Sequence, residues 1–442
     1  MKSLADCNVT TRQIVSSLQC FAVDELAVRT RFVKRQPQKI TPASFLTALL
    51  KNVVQDDKSL RNIAAEIGLL AHCTVSKQAV DKRFDHECVD FLQLVLLQAL
   101  LQQSTRKPDW TNGSELFKHF KRVLVQDSLC IALPDELTEF FPGPVNKYGQ
   151  HATAKIQIIL DLLQERFCYF ALSPYTVNDQ SASRDILAIA RPGDLVIRDL
   201  GYFVLSVLYE MIIRNIYFLC RYRPGLAIFR ADDGSRIDLL ELLQREQTLD
   251  IFVYLGNEER VPVRLVAQPV PEDVAAKRRQ RALSDRDRRS NHSEEYLALL
   301  GWNIFVTNVP RRFWTVSHTC QAYSFRWRIE TIIKSWKSHF NLETVPEGGE
   351  VHVRAHILAT LVFITLFHDS IFLELTEIAQ QEFDTPISIH KLSKFVKKHP
   401  WILFIPIEDH KLTALVIAQI LYHCRYERRA RKSYPQKFKE FG

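Results

Sequence analysis

The apolar positions change period along the chain. Through residues 1–120 they recur at helical spacing, most clearly at 43–54 and 91–102, so this front part reads as almost entirely helical. Within it, SLRNIAAEIGLLAHCTVSKQAVDKRF places Leu60, Ile63, Ala64 and Ile67 on one stripe, offers Gly68 as a stop, and gives Ser76 as the cap of a second helix through Val80 and Phe84. That is a helix-turn-helix pattern. Its second helix carries Lys77, Gln78, Lys82 and Arg83, with Lys77 and Arg83 the candidate DNA contacts; an ordinary helical hairpin is the other reading.

From 121 to 225 the period shortens. RVLVQDSLCIAL, ATAKIQIILDLL and CYFALSPY are three β-rich runs in succession, followed by a helical pattern at 182–190, a Pro-Gly-Asp turn and the strand LVIRDLGYF. A helical stretch at 204–214 and the strand IYFLCRY complete an α/β plan with a mixed sheet. Asp127 stands in the first strand and Asp199 at the end of the fourth, where the carboxyl ends of strands frame sites. Asp194 sits in the turn at the other end of that strand, so Asp199 is preferred; Asp161 and Glu165, at the end of the second strand, read as solvated. Residues 226–315 then offer LAIFRA, IFVYLG, VPVRLVAQ and WNIFVTNVP as strands around the loop KRRQRALSDRDRR, an inserted β-rich unit.

The chain returns with YSFRWRIETIIKSWKSHF, residues 323–340. As one helix, this puts Tyr323, Arg326, Glu330 and Lys337 within an arc of roughly 60°, at about 100° per residue. Phe325, Ile329, Ile332 and Trp336 fall on another face, the stripe that docks a helix on a sheet. A carboxylate between cations suits a place where a metal ion meets a phosphate backbone, with Lys334 on the same face; a surface helix laced with ion pairs is the alternative. Residues 316–345 thus supply a chemical helix. Residues 346–442 read as apolar helices ending in the basic tail RYERRARKSYPQKFKEF, a helical C-terminal region suited to dimerisation.

Composition changes this picture little. With 442 residues, 47% hydrophobic and 24% charged, the chain fills two or three ordinary globular domains. The formal net charge of +8 is modest, but it gathers at 277–289 and 425–439, where phosphate contacts are expected unless those stretches are simply solvated. Nine scattered cysteines without a CxxC pair point to reduced thiols and a cytoplasmic protein. The N-terminus lacks a signal-peptide plan, and the apolar run at 357–367 is too short to span a bilayer.

Two aspartates and a glutamate drawn from two strands and a helix make a hard oxygen cage for Mg²⁺ or Mn²⁺, and a pair of such ions supports in-line phosphoryl transfer. No GxSxG elbow, Walker loop or GxGxxG after a strand competes with that reading. Cys320 near His318 lacks anything to orient the imidazole.

These residues resemble the DDE transposases of bacterial insertion sequences, of the insertion-sequence-four type. Their hallmark is Tyr, two residues, Arg, three residues, Glu, six residues, Lys, and Tyr323, Arg326, Glu330 and Lys337 match every spacing. VLVQDSLCIALP and IRDLGYF look like the family's two aspartate strands, as do Lys155 in HATAKIQIILDL and the TNVP turn after Trp302. The resemblance runs from about 120 to 370.

It implies an RNase H-like catalytic core, interrupted by a β-rich insertion before the catalytic glutamate and flanked by helical N- and C-terminal regions. It further implies that Asp127, Asp199 and Glu330 hold two Mg²⁺ or Mn²⁺ ions, that Tyr323 and Arg326 contact phosphates, and that Trp302 stacks on a flipped base. For Trp302 a place in the core is the other reading. The activity implied is cut-and-paste transposition: cleavage at the terminal inverted repeats, a hairpin intermediate, and joining to target DNA by a homodimer. A non-catalytic DNA-binding protein, or a nuclease without strand transfer, are the rival expectations.

Overall fold

The computed structural model describes residues 22–35, 37, 39–55, 57–104, 108, 111, 114–147, 149–284, 293–346, 348–404, 410–427 and 434–440. It opens with helices α1 (Val23–Arg29), α2 (Pro42–Val53), α3 (Leu60–Ala71), α4 (Lys77–Asp81) and α5 (His86–Gln102). Thr41, Ser59, Ser76 and Asp85 each accept a backbone N–H at a helix start, and so satisfy donors that the first turn leaves open. The expected stop at Gly68 is not where α3 ends. The helix runs on to His72 in the left-handed conformation, and Gly68 lies inside it because a Cβ there would stand 2.7 Å from the Cys73 carbonyl oxygen. The second helix of this pair is also shorter than its pattern suggests, closing before Phe84.

A mixed sheet follows. Its first members are β1 (Val123–Ala132), β2 (Pro142–Asn146), β3 (Gly149–Asp161) and β4 (Arg166–Pro174). After a 3-10 turn at Ser181–Asp185 come α6 (Ile186–Ile189), β5 (Leu195–Arg198), α7 (Leu205–Ile213), β6 (Tyr217–Arg221) and β7 (Ile228–Arg230). The sheet is completed through α8 (Leu239–Glu246), β8 (Leu249–Leu255), β9 (Val261–Pro269), α9 (Glu272–Leu283), α10 (Glu294–Leu299) and β10 (Trp302–Thr307). The strand order is β4-β3-β1-β5-β6-β10-β9-β8-β7, with β2 on the first residues of β3. Strand β1 is antiparallel to β3 and parallel to β5, β5 is parallel to β6, and β10 is antiparallel to β6. The strands at 228–307 therefore prolong the central sheet rather than forming one of their own.

Helices cover both faces, and alternation along each strand sorts the side chains between them. Val123 and Val125 of β1, with Leu195 and Ile197 of β5, join the core beneath the later helices. Leu124 and Val196 join the opposite core with Val207 and Leu208 of α7. The later helices are α11 (Val316–Ser324), α12 (Trp327–His339), α13 (Glu350–Phe367), a π-helical turn (His368–Leu373), α14 (Glu374–Phe383), α15 (Ile389–Lys398), α16 (His410–His423) and α17 (Tyr434–Glu440). By length and composition the run Glu350–Phe383 could cross a membrane, but it is mostly buried inside this fold and serves as a core helix.

Three expectations need correction. The stretch 323–340 is two helices, not one. At the joint Phe325, Arg326 and Arg328 donate their backbone N–H three residues back, to Ala322, Tyr323 and Phe325. Phe325 is pinned there by edge contacts with Phe117, Tyr434 and Phe438, so the chain tightens into a 3-10 turn where the ring enters the core. Next, the basic loop begins as the helix α9, as its run of Ala, Lys, Arg and Gln behind Glu272 and Asp273 favours. Residues 285–289 of that loop lie outside the described residues. Finally, Asp161 and Glu165 are buried, not solvated. Asp161 accepts the backbone N–H of Leu163 at 3.0 Å, and burial pushes its carboxyl up to about 6. Glu165 takes the Arg328 guanidinium.

Candidate active site

Period-two alternation puts Asp127 on the same face of β1 as Val123 and Val125, and Asp199, directly after β5, continues the face of Leu195 and Ile197. The parallel register pairs Gln126 with Arg198, so the two aspartates are the next neighbours across adjacent strands. Gln126 and Arg198 point the other way. The first donates to the Ala182 carbonyl and the second to the carbonyl and hydroxyl of Ser183, which ties the 3-10 turn beneath the strands.

Helix α12 packs over β1 on the aspartate face, with Ile329, Ile332 and Trp336 buried. Its first turn carries Glu330. Arg326, at the joint, places Nη2 2.5 Å from Glu330 Oε1 and Nη1 3.5 Å from Asp127 Oδ2. Tyr323, at the end of α11, donates its hydroxyl to Asp199 Oδ1 at 3.2 Å. Asp127, Asp199, Glu330, Tyr323 and Arg326, far apart in sequence, are thus brought together.

Electrostatics record that crowding. Burial pushes the Asp127 carboxyl up to about 6, and the fields of Glu330 and Asp199 add to it, against the Ser128 N–H and Arg326. Burial would lower the Arg326 pKa, but Tyr323, Asp199, Glu330 and Asp127 together raise it. The Arg326 Nε is buried without a hydrogen-bond partner, which leaves one donor for an incoming oxygen. Among the described residues no three metal-ligating side chains are gathered at binding distance, and the guanidinium lies between two of the acids. The donor set itself, three carboxylates in mutual electrostatic reach, fits a hard divalent cation.

Other expected residues lie farther along or elsewhere. Lys337 donates to the Cys130 carbonyl at 3.3 Å and to Glu343 at 2.8 Å, so it fastens α12 to β1. Lys334 is exposed on the same helix. Trp302 begins β10, half-buried, with its indole N–H donating to the Gln247 carbonyl at 3.0 Å. Lys77 is exposed at the start of α4, whereas Arg83 turns inward, reaching the Phe32 carbonyl at 3.4 Å. Asp194 is at the far end of β5, bound to Arg122 at 2.5 Å. In the basic stretches, Arg278 donates to Asn303 Oδ1 at 2.8 Å, while Phe438 of the tail is buried. Residues 428–433 of the tail lie outside the described residues.

Two neighbours of the site were not anticipated. Asp179 accepts from the Ser128 hydroxyl at 2.9 Å and from Lys155 at 2.7 Å, next to Asp127. Burial alone would raise its pKa, but Lys155 and Ser128 hold it below the usual carboxylate range. Trp327, 57% exposed, presents its ring beside Arg326. Nothing local marks the first, which lies in a turn outside the strand register. Nothing local marks the second, since a Trp beside an apolar stripe reads as core.

The comparisons with known proteins agree with one another. The family described as Transposase DDE domain matches residues 118–366. The chain is 25% identical over 437 residues to the "Transposase for insertion sequence element IS231F" of Bacillus thuringiensis subsp. israelensis, across 94% of this chain and 90% of that protein. It is 23% identical over 387 residues to the "Transposase for insertion sequence element IS1151" of Clostridium perfringens, across 82% and 80%. A solved piggyBac transposase synaptic complex with hairpin DNA aligns over 98% of this chain and 87% of that one, at 10% identity and a TM-score of 0.43, which is too distant to carry an argument. By the match over more than half its length, the chain belongs to the DDE transposases of bacterial insertion sequences.

Proposed function

We propose that this transposase cuts the ends of its own element and joins them to target DNA by two-metal phosphoryl transfer, with Asp127, Asp199 and Glu330 as the metal-holding carboxylates. The observation that carries this reading is the parallel register of β1 and β5, which sets two aspartates side by side beneath the helix bearing Glu330. Three successively antiparallel strands, β4, β3 and β1, followed by β5 and β6 parallel to β1, suit an RNase H-like core, with 121–225 and 316–345 as its parts and 226–315 as the insertion. The flanking units would be 1–120 and 346–442.

Bound Mg²⁺ or Mn²⁺ would activate the attacking oxygen and neutralise charge on the leaving one. Glu330 would hold the cation in place of its guanidinium partner, and Arg326 would then be free to hold a phosphate oxygen. Asp127, pushed up to about 6 by burial and its acidic neighbours, would have its ionised form stabilised by a bound cation. Tyr323 keeps the Asp199 carboxylate oriented. Lys334, Lys337, Trp302 and Lys77 are assigned to DNA, Trp302 by stacking. Arg83 contacts DNA only after leaving Phe32. A hairpin intermediate, a homodimer bridging paired ends, and action in the cytoplasm belong to the same reading.

The test is cleavage of end DNA with Mg²⁺ or Mn²⁺. Asp127→Ala, Asp199→Ala and Glu330→Ala should each abolish cleavage and retain end binding in a mobility-shift assay. Cleavage that survives all three changes overturns the assignment. Binding without any metal-dependent cleavage by the unaltered protein would support a non-catalytic DNA-binding protein, and nicked but never joined products a plain nuclease.

A further inference from the structure

A cavity of about 450 Å³ opens between the N-terminal helices and α13, away from the carboxylates. The charged side chains in its lining are basic. Lys58, Arg61, Lys77, His352 and His356 contribute to the wall, and none of the described residues lining it is acidic. The remaining surface is apolar, from Leu49, Leu60, Ile63, Phe84 and Pro346. Phe84 and His352 stack at 4.6 Å, so part of that surface is a flat aromatic wall.

Two basic side chains of the wall, Lys58 and His352, are held in place. Lys58, only 9% exposed, donates to the carbonyls of Asn341 at 2.8 Å and Thr344 at 2.6 Å and to His356 Nε2 at 2.7 Å. His356 is the neutral acceptor in that contact, because burial and the neighbouring Lys58 lower its pKa to about 3. His352 is fixed by Asp81 at 3.0 Å. Arg61, at the start of α3, is exposed at the rim, and Lys77 opposes it from α4.

We propose that this cavity binds a phosphate-bearing nucleotide, with Arg61 and Lys77 facing the phosphate and the Phe84, Leu60 and Pro346 surface covering the base. The volume lies in the range of small-ligand sites, roughly 300–1,000 Å³. The Arg61 and Lys77 cations answer the phosphate, and an aromatic and aliphatic wall answers a planar base. Inorganic phosphate would leave that wall unused, and a nucleoside would leave the cations unanswered. The nucleotide comes either free from solution or as a nucleotide of a DNA strand; both present the same chemistry.

Titration calorimetry on the full-length protein without divalent ions keeps catalysis out of the measurement. Failure of the cleavage assignment would leave this result untouched. Deoxyadenosine monophosphate is expected to bind at least about tenfold more tightly than inorganic phosphate or deoxyadenosine. Arg61→Glu, a change at an exposed position, should weaken it by about tenfold or more while the far-ultraviolet circular dichroism stays unchanged. Competition by single-stranded DNA for the bound nucleotide assigns the source to DNA, and its failure assigns it to free nucleotide. No heat at millimolar nucleotide, equal affinity for phosphate alone, or unchanged affinity in Arg61→Glu overturns the proposal.

Discussion

Arg328 donates Nε and Nη2 to the two carboxylate oxygens of Glu165, at 3.0 and 2.7 Å, and both side chains are all but sealed from solvent. The pair joins α12 to the turn between β3 and β4, two residues from Glu330. His368 of the π-helical turn closes on Glu165 from the other side at 3.6 Å. Removing one partner strands a charge in the interior. Glu165→Ala or Arg328→Ala is therefore expected to cost about 3–5 kcal/mol in urea unfolding, whereas the double change Glu165→Leu with Arg328→Met recovers most of that loss.

Asp127 is held at a cost. Its carboxyl is pushed up to about 6 by burial and by two acidic neighbours, so the ionised form strains the folded state at neutral pH. In chelator at pH 7.5, Asp127→Asn should raise thermal stability by on the order of 1 kcal/mol, even with its contact to Arg326 weakened. The same protein should show no metal-dependent cleavage. Equal or lower melting temperature in the variant would count against a strained site.

Tyr323→Phe removes one hydrogen bond, the 3.2 Å donation to Asp199, and keeps the ring against Phe305 at 4.8 Å. The expected loss of stability is about 0.5–1.5 kcal/mol. Cleavage should slow without vanishing, because Asp199 keeps its carboxylate and loses only its orientation. Single-turnover cleavage of end DNA measures this.

His356 sets a pH dependence whose sign is fixed by its environment. Its folded pKa is lowered to about 3, while in the unfolded chain it titrates near the ordinary 6.5. Between those values the unfolded chain binds the extra proton. Stability from this group is complete above 6.5 and falls as pH drops toward 3, by up to about 1.4 kcal/mol per pH unit. His356→Gln, which keeps an acceptor for Lys58, should flatten that slope in denaturation curves recorded from pH 7 to 4.5.

The carboxylates were legible from sequence because each lies in a local pattern with a short physical reach. Asp127 stands in an alternating strand, Asp199 ends one, and Glu330 falls four residues after Arg326 at helical spacing. The two-helix break at Phe325 was not legible, since it depends on rings from positions 117, 434 and 438 meeting in the core. The burial of Glu165 was hidden for the same reason, its partner being 163 positions away. The helix α9 was masked by its charge, which reads as a loop although Ala, Arg and Gln favour helix. Asp179 lay in a turn whose letters, TVNDQ, carry no sign that Lys155 and Ser128 would meet it.

The antiparallel seam between β6 and β10 has a mechanical consequence. The strands from 228 to 307 cannot swing as a separate lobe without tearing backbone hydrogen bonds in the middle of the sheet. The offset from the Phe305 end of the seam to the end of β5 is accordingly a gauge, set rung by rung through β10, β6 and β5. A substrate that reached both ends of that gauge would meet paired strands there rather than a linker between two lobes.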